Sequence, residues 1–558
     1  MTIKTSYLYF IAFAVGLISI FIVKYDVGFI YSRQALALHI FSVFLIFILW
    51  FFSLFSEKKA LKIVNYQGLL IIFILACISR LVLLVDYPFV SVGDELRDGG
   101  LDSLAISTGT IKNLFEYGRY NAHGLIIPTL MTPFYRILHA SVLVYRLPAA
   151  LLGIIDVSLF YILLSVLTKN KFASFLGSLA LISLPLHLFY SRTEVTVILS
   201  SCFSTAILTT VFILLKRKPT KMIDYVFLGT LLGFTFNFHA SVKALALLVL
   251  FTVIIFNLVE RVFKRLKTGV LASRLFLLGL FVIIGFGPRM LFTSSVEFFN
   301  LSRLPQTDFL NWQTIQEVAE KYQKSLLVWV KEPTNAWYPD HQPILSLPLF
   351  ILFILGIGVS LFKKDRFLVS VVLITLVLHF TNSAATDILN GDHRLSPLFP
   401  IGVLFVGLGI AFIFERIKIN WYQYLATGLL TGFLLYQTAG FFLLQPANKN
   451  RKIGDYLAMH TISFLNQKKQ LFGPGKEIIF ALSPLNYQQF NYLHYQEQRA
   501  FFFPENLISL ESGPEIKDNE IYIKDVKNKM QGKSAAIDCV GASYHCPLDY
   551  RGSINIFY

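Results

Sequence analysis

Charge and cysteine are both scarce in this chain. Only 15% of its 558 residues are Asp, Glu, Lys or Arg, and there are four cysteines. Amphipathic periodicity is missing too. Apolar residues, 55% of the total, come in blocks of about 18–25, the length that carries a helix across ~30 Å of hydrocarbon. A soluble chain of this size would show alternating faces instead, so a soluble globular protein is excluded. The first block, about Tyr7 to Val23, lacks a small-residue cleavage site and reads as a retained helix, not a signal peptide. Cys77 and Cys202 lie in apolar blocks as packing residues. Cys539 and Cys546 share the polar C-terminal region, and an outward-facing tail is an oxidising place, so a Cys539–Cys546 disulfide is expected. No second Cys or His pair stands at ligand spacing, which makes zinc the weaker alternative. The segment GPGK at 473–476 lacks the leading Gly spacing and the Ser/Thr of a phosphate loop and reads as a turn.

The net charge of +16 would suggest nucleic acid if its distribution were ignored. Six short segments, 56–64, 168–171, 216–221, 260–267, 363–366 and 415–418, hold 18 Lys/Arg against 4 Asp/Glu. Two long polar loops, 87–140 and 293–343, hold 8 basic and 11 acidic residues. Such segregation is the positive-inside rule. It predicts cytoplasmic basic loops, outward-facing long loops and no nucleic-acid partner. About 13 spans run from 7–24 to 420–443, alternating from a cytoplasmic N-terminus. The apolar run 223–259 is split at Asn237, His239 and Lys243, because polar groups at the hydrocarbon centre are costly. The expected architecture is thus an α-helical polytopic membrane protein in three parts. Two N-terminal helices occupy 1–65, a transmembrane domain 66–444, and a small outward-facing α/β domain 445–558. In that last part, 448–469 reads as an amphipathic helix, and 477–482, 520–524 and 554–558 as strands.

Just beyond the third block stands SVGDELRDGG, 91–100, with Asp102 following. Read as a helix start, Asp94, Asp98 and Asp102 share one stripe at ~100° per residue, with Glu95 beside it and Arg97 partly neutralising the group. One account is a solvated helix whose acids complement the helix dipole. The other follows from position. Carboxylates crowded at a membrane boundary raise one another's pKa, and one so tuned serves as a general base or binds a divalent cation. Asp94 is then the base and Glu95 its support, while Asp98 and Asp102 keep the helix charged and wet.

A second polar point is YSRTE, Tyr190–Glu194, expected as a very short turn after Pro185 and His187. Arg192 and Glu194 there are either interfacial anchors or a pair aimed into a cavity. Arg80, Arg146, Arg192, Arg289 and Arg394 all fall at outer boundaries, where basic residues are not expected. Bidentate contact with a lipid-linked phosphate explains them, as does snorkelling to headgroups. His123 and His393 lie in outer loops, and Trp312, Trp329 and Trp337 suit an interface belt or a sugar-stacking wall. Asp156 is the main candidate intramembrane acid.

The ordered set VGDELRDGG, EYGRYNAHGLIIPTLMTPFYRIL, VYRLPAALLGIIDVSLFYILL, SLPLHLFYSRTEVTVIL and RLSPLFP resembles the GT-C superfamily of membrane glycosyltransferases. Within it, the protein O-mannosyltransferase and lipid A aminoarabinose transferase group is most similar. The motifs cover roughly 66–260, and the remainder only by topology. The two helices ahead of the acidic loop depart from the pattern. The resemblance implies a hexosyl- or pentosyltransferase of the cell (inner or plasma) membrane, with an extracytoplasmic C-terminal domain. It would move a sugar from a polyprenyl-phosphate carrier to a glycan, lipid or protein acceptor, with inversion. Asp94, Glu95 and Glu194 match the acidic positions, with a divalent metal at Asp94 and Glu194 left open. Arg192, Arg394, Arg289 and Arg146 are donor-phosphate candidates, and His123, Tyr190 and His393 substrate contacts. The rivals are a flippase or transporter of lipid-linked sugars, which would need buried charges and internal repeats, and a polymerase or ligase of such sugars.

Overall fold

The computed structural model describes residues 3–55, 64–85, 87–88, 96, 100–116, 124–138, 141–216, 221–264, 267–293, 312–334, 342–386, 388–417 and 419–444, and five C-terminal strands. The chain is a multi-pass membrane protein built of helices. The long ones are α1 (Ile3–Tyr25), α2 (Ser32–Phe55), α3 (Tyr66–Leu81), then after the short α4 (Asp102–Ser107) and α5 (Ile126–Leu138), α6 (Val142–Thr168). There follow α7 (Lys171–Ser183), α8 (Pro185–Thr193), α9 (Val195–Lys216), α10 (Met222–Thr235), α11 (Ala240–Lys264) and α12 (Thr268–Phe286). After α13 (Trp312–Leu327) come α14 (Leu347–Phe362), α15 (Arg366–His379), α16 (Leu398–Arg416) and α17 (Asn420–Leu444).

Among the described residues nine helices are long and apolar enough to cross a membrane, ten if the α7–α8 pair counts as one. The expectation of 13 spans is therefore not reached by length. The other three positions hold shorter apolar helices, α3, α10 and α14. At 1.5 Å per residue, α3 with its 16 residues rises only about 24 Å. The expected break within 223–259 falls between α10 and α11.

Side-chain caps start three of the helices. Asn65 accepts from the amides of Gln67 and Gly68, Asn170 from Phe172 and Ala173, and Asp365 from Phe367. Glycines let neighbours approach. A Cβ on Gly229 or Gly233 of α10 would meet the carbonyls of Leu278 and Val282 on α12, a small-residue seam of the kind that joins helices in lipid. Gly356 and Gly409 join α14 to α16 in the same way. Among the nine long spans α9 and α16 are the most buried, while Phe10, Phe52, Phe251 and Phe276 point outward, as side chains do when lipid is the solvent.

The strands β1 (Lys476–Leu482), β2 (Leu507–Ser512), β3 (Asn519–Asp525), β4 (Ser534–Asp538) and β5 (Ser553–Phe557) form one mixed sheet, ordered β2-β1-β3-β5-β4. β1 runs parallel to β2 and antiparallel to β3; β5 runs parallel to β3 and antiparallel to β4. The three expected strands are there, joined by β2 and β4. The expected helix 448–469, and Cys539 and Cys546, lie outside the described residues.

Candidate functional site

Helix directions alternate, so the segment after α3, the α8–α9 junction, the α10–α11 turn and the start of α16 gather at one end of the bundle. The α3 end is built by arginines from distant helices. Arg192 donates from Nε to the Tyr87 carbonyl at 3.0 Å, from Nη1 to Ser79 at 2.8 Å, and from Nη2 to Val82 and Leu83, both at 2.8 Å. Arg146 donates from Nη1 to Leu84 at 3.1 Å and Val85 at 3.2 Å. Carbonyls at a helix C-terminus have no partners within the helix, and lipid offers none. The two guanidinium groups supply donors and so fix the segment that leads into 91–102.

Snorkelling is thereby ruled out for this group. Arg80, Arg146, Arg192 and Arg289 are among the largest fully buried side chains, and Arg394 is buried as well. Arg80 donates to Ser79 Oγ at 2.6 Å and pairs with Nδ1 of His187 at 2.9 Å, whose Nε2 lies 3.0 Å from Asp156 Oδ2. Ser201 and Thr205 also donate to the Asp156 carboxylate, at 2.6 and 2.5 Å. The intramembrane acid thus meets polar partners from two helices, α8 and α9, as a buried charge requires.

The chain at 190–194 differs from the expected short turn. Pro185 opens α8 after a 61° bend at Leu184, and Tyr190–Thr193 is the last turn of that helix. Pro185 cannot donate into a continuing helix, so the bend falls there. Only Glu194 breaks the helix before α9, with φ −118° and ψ 110°. Its side chain is 2% exposed, and Oε1 accepts from Thr196 Oγ1 at 2.9 Å. Tyr190 is fully buried, its ring nearly parallel to that of Phe399 at 6.5 Å.

The α10–α11 turn links the remaining arginines. Arg289 donates to the Asn237 carbonyl and packs against Gly124, where a Cβ would collide with its guanidinium. Asn382, in the wide helical turn after α15, donates to the carbonyls of Ser241 and Arg394, each at 3.2 Å. His239 lies edge-on to His393, ring centroids 5.9 Å apart, and pairs with Ser241 Oγ at 2.7 Å. Buried Lys243 is one turn further along α11, and buried Asp392 accepts from the His393 amide at 2.8 Å. Ser204 of α9 donates to the Pro397 carbonyl at 2.8 Å, which ties α16 to the helix that begins beside Glu194.

Asp94, Glu95 and His123 lie outside the described residues. Asp102 does not: it is 2% exposed at the start of α4, so it is buried rather than wet. Its neighbour Ser103 donates to the Pro128 carbonyl at 3.0 Å, packing α4 against α5. Trp329 is also buried, donating to His379 Nε2 at 2.8 Å and stacked on Phe353, so it is a packing residue, neither belt nor sugar wall. Outside the spans, burial raises the pKa of Tyr322, whose hydroxyl donates to Leu376 at 3.1 Å. Among the described residues no three His, Cys, Asp or Glu side chains come together as metal ligands. Sequence reasoning missed Asn382 and Asp392 among these contacts; for Asp392 the polar run GDHRLSP was the available signal.

No protein-family model matches the chain, and no curated protein matches it. Among solved structures it is similar to ArnT from Cupriavidus metallidurans in the apo state, at 13% identity and TM-score 0.42 over 78% of this chain and 76% of that one. The same protein bound to undecaprenyl phosphate matches at 14% identity and TM-score 0.41, over 78% of this chain and 77% of that one. The archaeal oligosaccharyltransferase AglB from Archaeoglobus fulgidus, in complex with an inhibitory peptide and a dolichol-phosphate, matches at 14% identity and TM-score 0.42. There the match covers 72% of this chain and 58% of that one. These likenesses are distant, and the residue roles below rest on the chain's own chemistry.

Proposed function

We propose that the chain is a membrane glycosyltransferase that moves a hexosyl or pentosyl unit from a polyprenyl-phosphate carrier to a cell-envelope acceptor on the outer face. One observation carries the reading. Arg192, two residues before the buried carboxylate of Glu194, reaches across to the backbone at 79–87 and so brings Glu194 to the base of the acidic stretch 91–102. Glu194 then stands at the same end of the bundle as Tyr87, and in the sequence the acidic stretch begins four residues further on.

Asp94 is the base that takes the acceptor's proton as it attacks the anomeric carbon with inversion, and Glu95 supports it. Glu194 is the second acid, and with Asp94 it would hold a divalent metal if the reaction uses one. The departing lipid phosphate gathers negative charge, which Arg394 and Arg289 offset from the 237–241 hub. Arg192 and Arg146, whose donors go to backbone carbonyls, act on the phosphate through the segment they hold. His123, Tyr190 and His393 border the sugar. The same reading keeps 13 crossings, a cytoplasmic N-terminus, an extracytoplasmic C-terminal domain from 445, and the Cys539–Cys546 disulfide.

The test uses purified protein, a radiolabelled polyprenyl-phosphate sugar and cell-envelope acceptors. Transfer by the wild-type protein that is lost in Asp94→Asn is the expected result. Movement of labelled lipid between leaflets without transfer would make the protein a flippase instead, and the proposal would fall.

A further inference from the structure

A cavity of about 1310 Å³ lies between α2, α6, α9 and α10, larger than the ~300–1,000 Å³ typical of small-molecule sites. Its walls are apolar almost throughout, with Phe47, Trp50 and Phe51 of α2 as an aromatic side. Helix α2, which precedes the acidic loop, therefore completes it. The two extremities differ. Toward the Glu194 end the lining is apolar, with Ile127, Leu130 and Phe238. At the opposite extremity stand Lys169, Lys216 and Lys363, with Asp365 and Glu415. Lys216 pairs with Asp365, whereas Lys169 and Lys363 are exposed. Arg217 and Lys218 follow Lys216 in the sequence.

Apolar walls that end in excess positive charge match an amphiphile with an anionic head. Its length can be read from α6: from Leu152 to Lys169, both lining residues, the helix rises about 25 Å at 1.5 Å per residue. One bilayer lipid, headgroup included, spans half of the ~40–45 Å bilayer, about 20–22 Å. A carrier lipid with its phosphate at these lysines would hold its sugar at the wrong end of the bundle from Glu194. We propose that this cavity is a binding site for an anionic phospholipid of the membrane, with its phosphate at Lys169 and Lys363 and its acyl chains against the α2 aromatics. The bound lipid seals α2 to α6 and α9, and the site is independent of the transfer reading.

Trp50 lines the cavity and is stacked on Phe227 at 3.9 Å, so it reports occupancy. The full chain is placed in phosphatidylcholine nanodiscs doped with phosphatidylglycerol carrying brominated acyl chains, or with brominated phosphatidylcholine at the same content. The Trp50 contribution is the difference from Trp50→Phe. Quenching of Trp50 at least threefold stronger by the anionic lipid is expected, falling to the phosphatidylcholine level in Lys169→Gln/Lys363→Gln. A smaller cavity in Ala206→Phe should weaken it for both lipids. Equal quenching by the two lipids, or no change in the lysine variant, overturns the proposal. Displacement of the brominated lipid by equimolar polyprenyl phosphate overturns it too, by assigning the cavity to the carrier.

Discussion

At one end of the bundle Arg80, Arg146, Arg192 and Arg289 are buried and turned inward, onto carbonyls, hydroxyls and His187. At the other, Lys169, Lys216 and Lys363 stand at the rim of an apolar cavity, and Lys216, 49% exposed, pairs with Asp365. The cations have the same charge and different physics. A guanidinium's fixed fork divides among several acceptors and can end a helix inside a membrane, while an ammonium on a flexible stem stays hydrated at the surface. One set is held inside the bundle by acceptors of the chain itself, and the other meets solvent.

That contrast can be broken by mutation. The largest effect is expected inside the bundle: Asp156→Ala removes the carboxylate that His187, Ser201 and Thr205 approach. Loss of one partner from a buried charged group costs about 3–5 kcal/mol, so thermal unfolding in detergent should shift down sharply. A midpoint equal to wild type would show that the network is not structural. Next come Asp94→Asn and Glu194→Gln, each expected to lower sugar transfer at least ~100-fold, the scale of a positioned acid or base, with the midpoint little changed. Retained transfer in both would remove the acids from the mechanism.

Arg192→Lys keeps the charge and loses the fork. Hydrogen bonds from charged groups are worth about 1.5–3 kcal/mol each. A lower unfolding midpoint is expected together with slower transfer, and an unchanged midpoint would mean that the 79–87 carbonyls find other donors. The smallest effect belongs to the lysine end. Lys216→Ala should cost under ~1 kcal/mol, as exposed pairs do, and a double-mutant cycle with Asp365→Asn measures it. A coupling as large as that at Arg192 would erase the distinction between the two ends.

Span positions were legible in the residues. The expected 142–167 and 196–215 stand as Val142–Thr168 and Val195–Lys216, and the break at 237–243 was announced by its own polar groups. The 13-span count outran the helix lengths because α3, α10 and α14 are short. The wet Asp102 failed for a different reason. The period of a helix tells which acids share a stripe, but not that α5 will pack against α4 beside Asp102.

Sequence alone determined that this chain crosses a membrane, where the crossings fall and which residues carry unexpected charge, because hydropathy and charge segregation are summed along the chain. Tertiary structure alone decided what those charges do. Arg192 meets carbonyls 105 to 113 residues away, His187 meets an acid 31 residues earlier, and the cavity draws on helices from both halves of the chain. A buried polar group is defined by its partners, and partners that distant are set only when the helices pack.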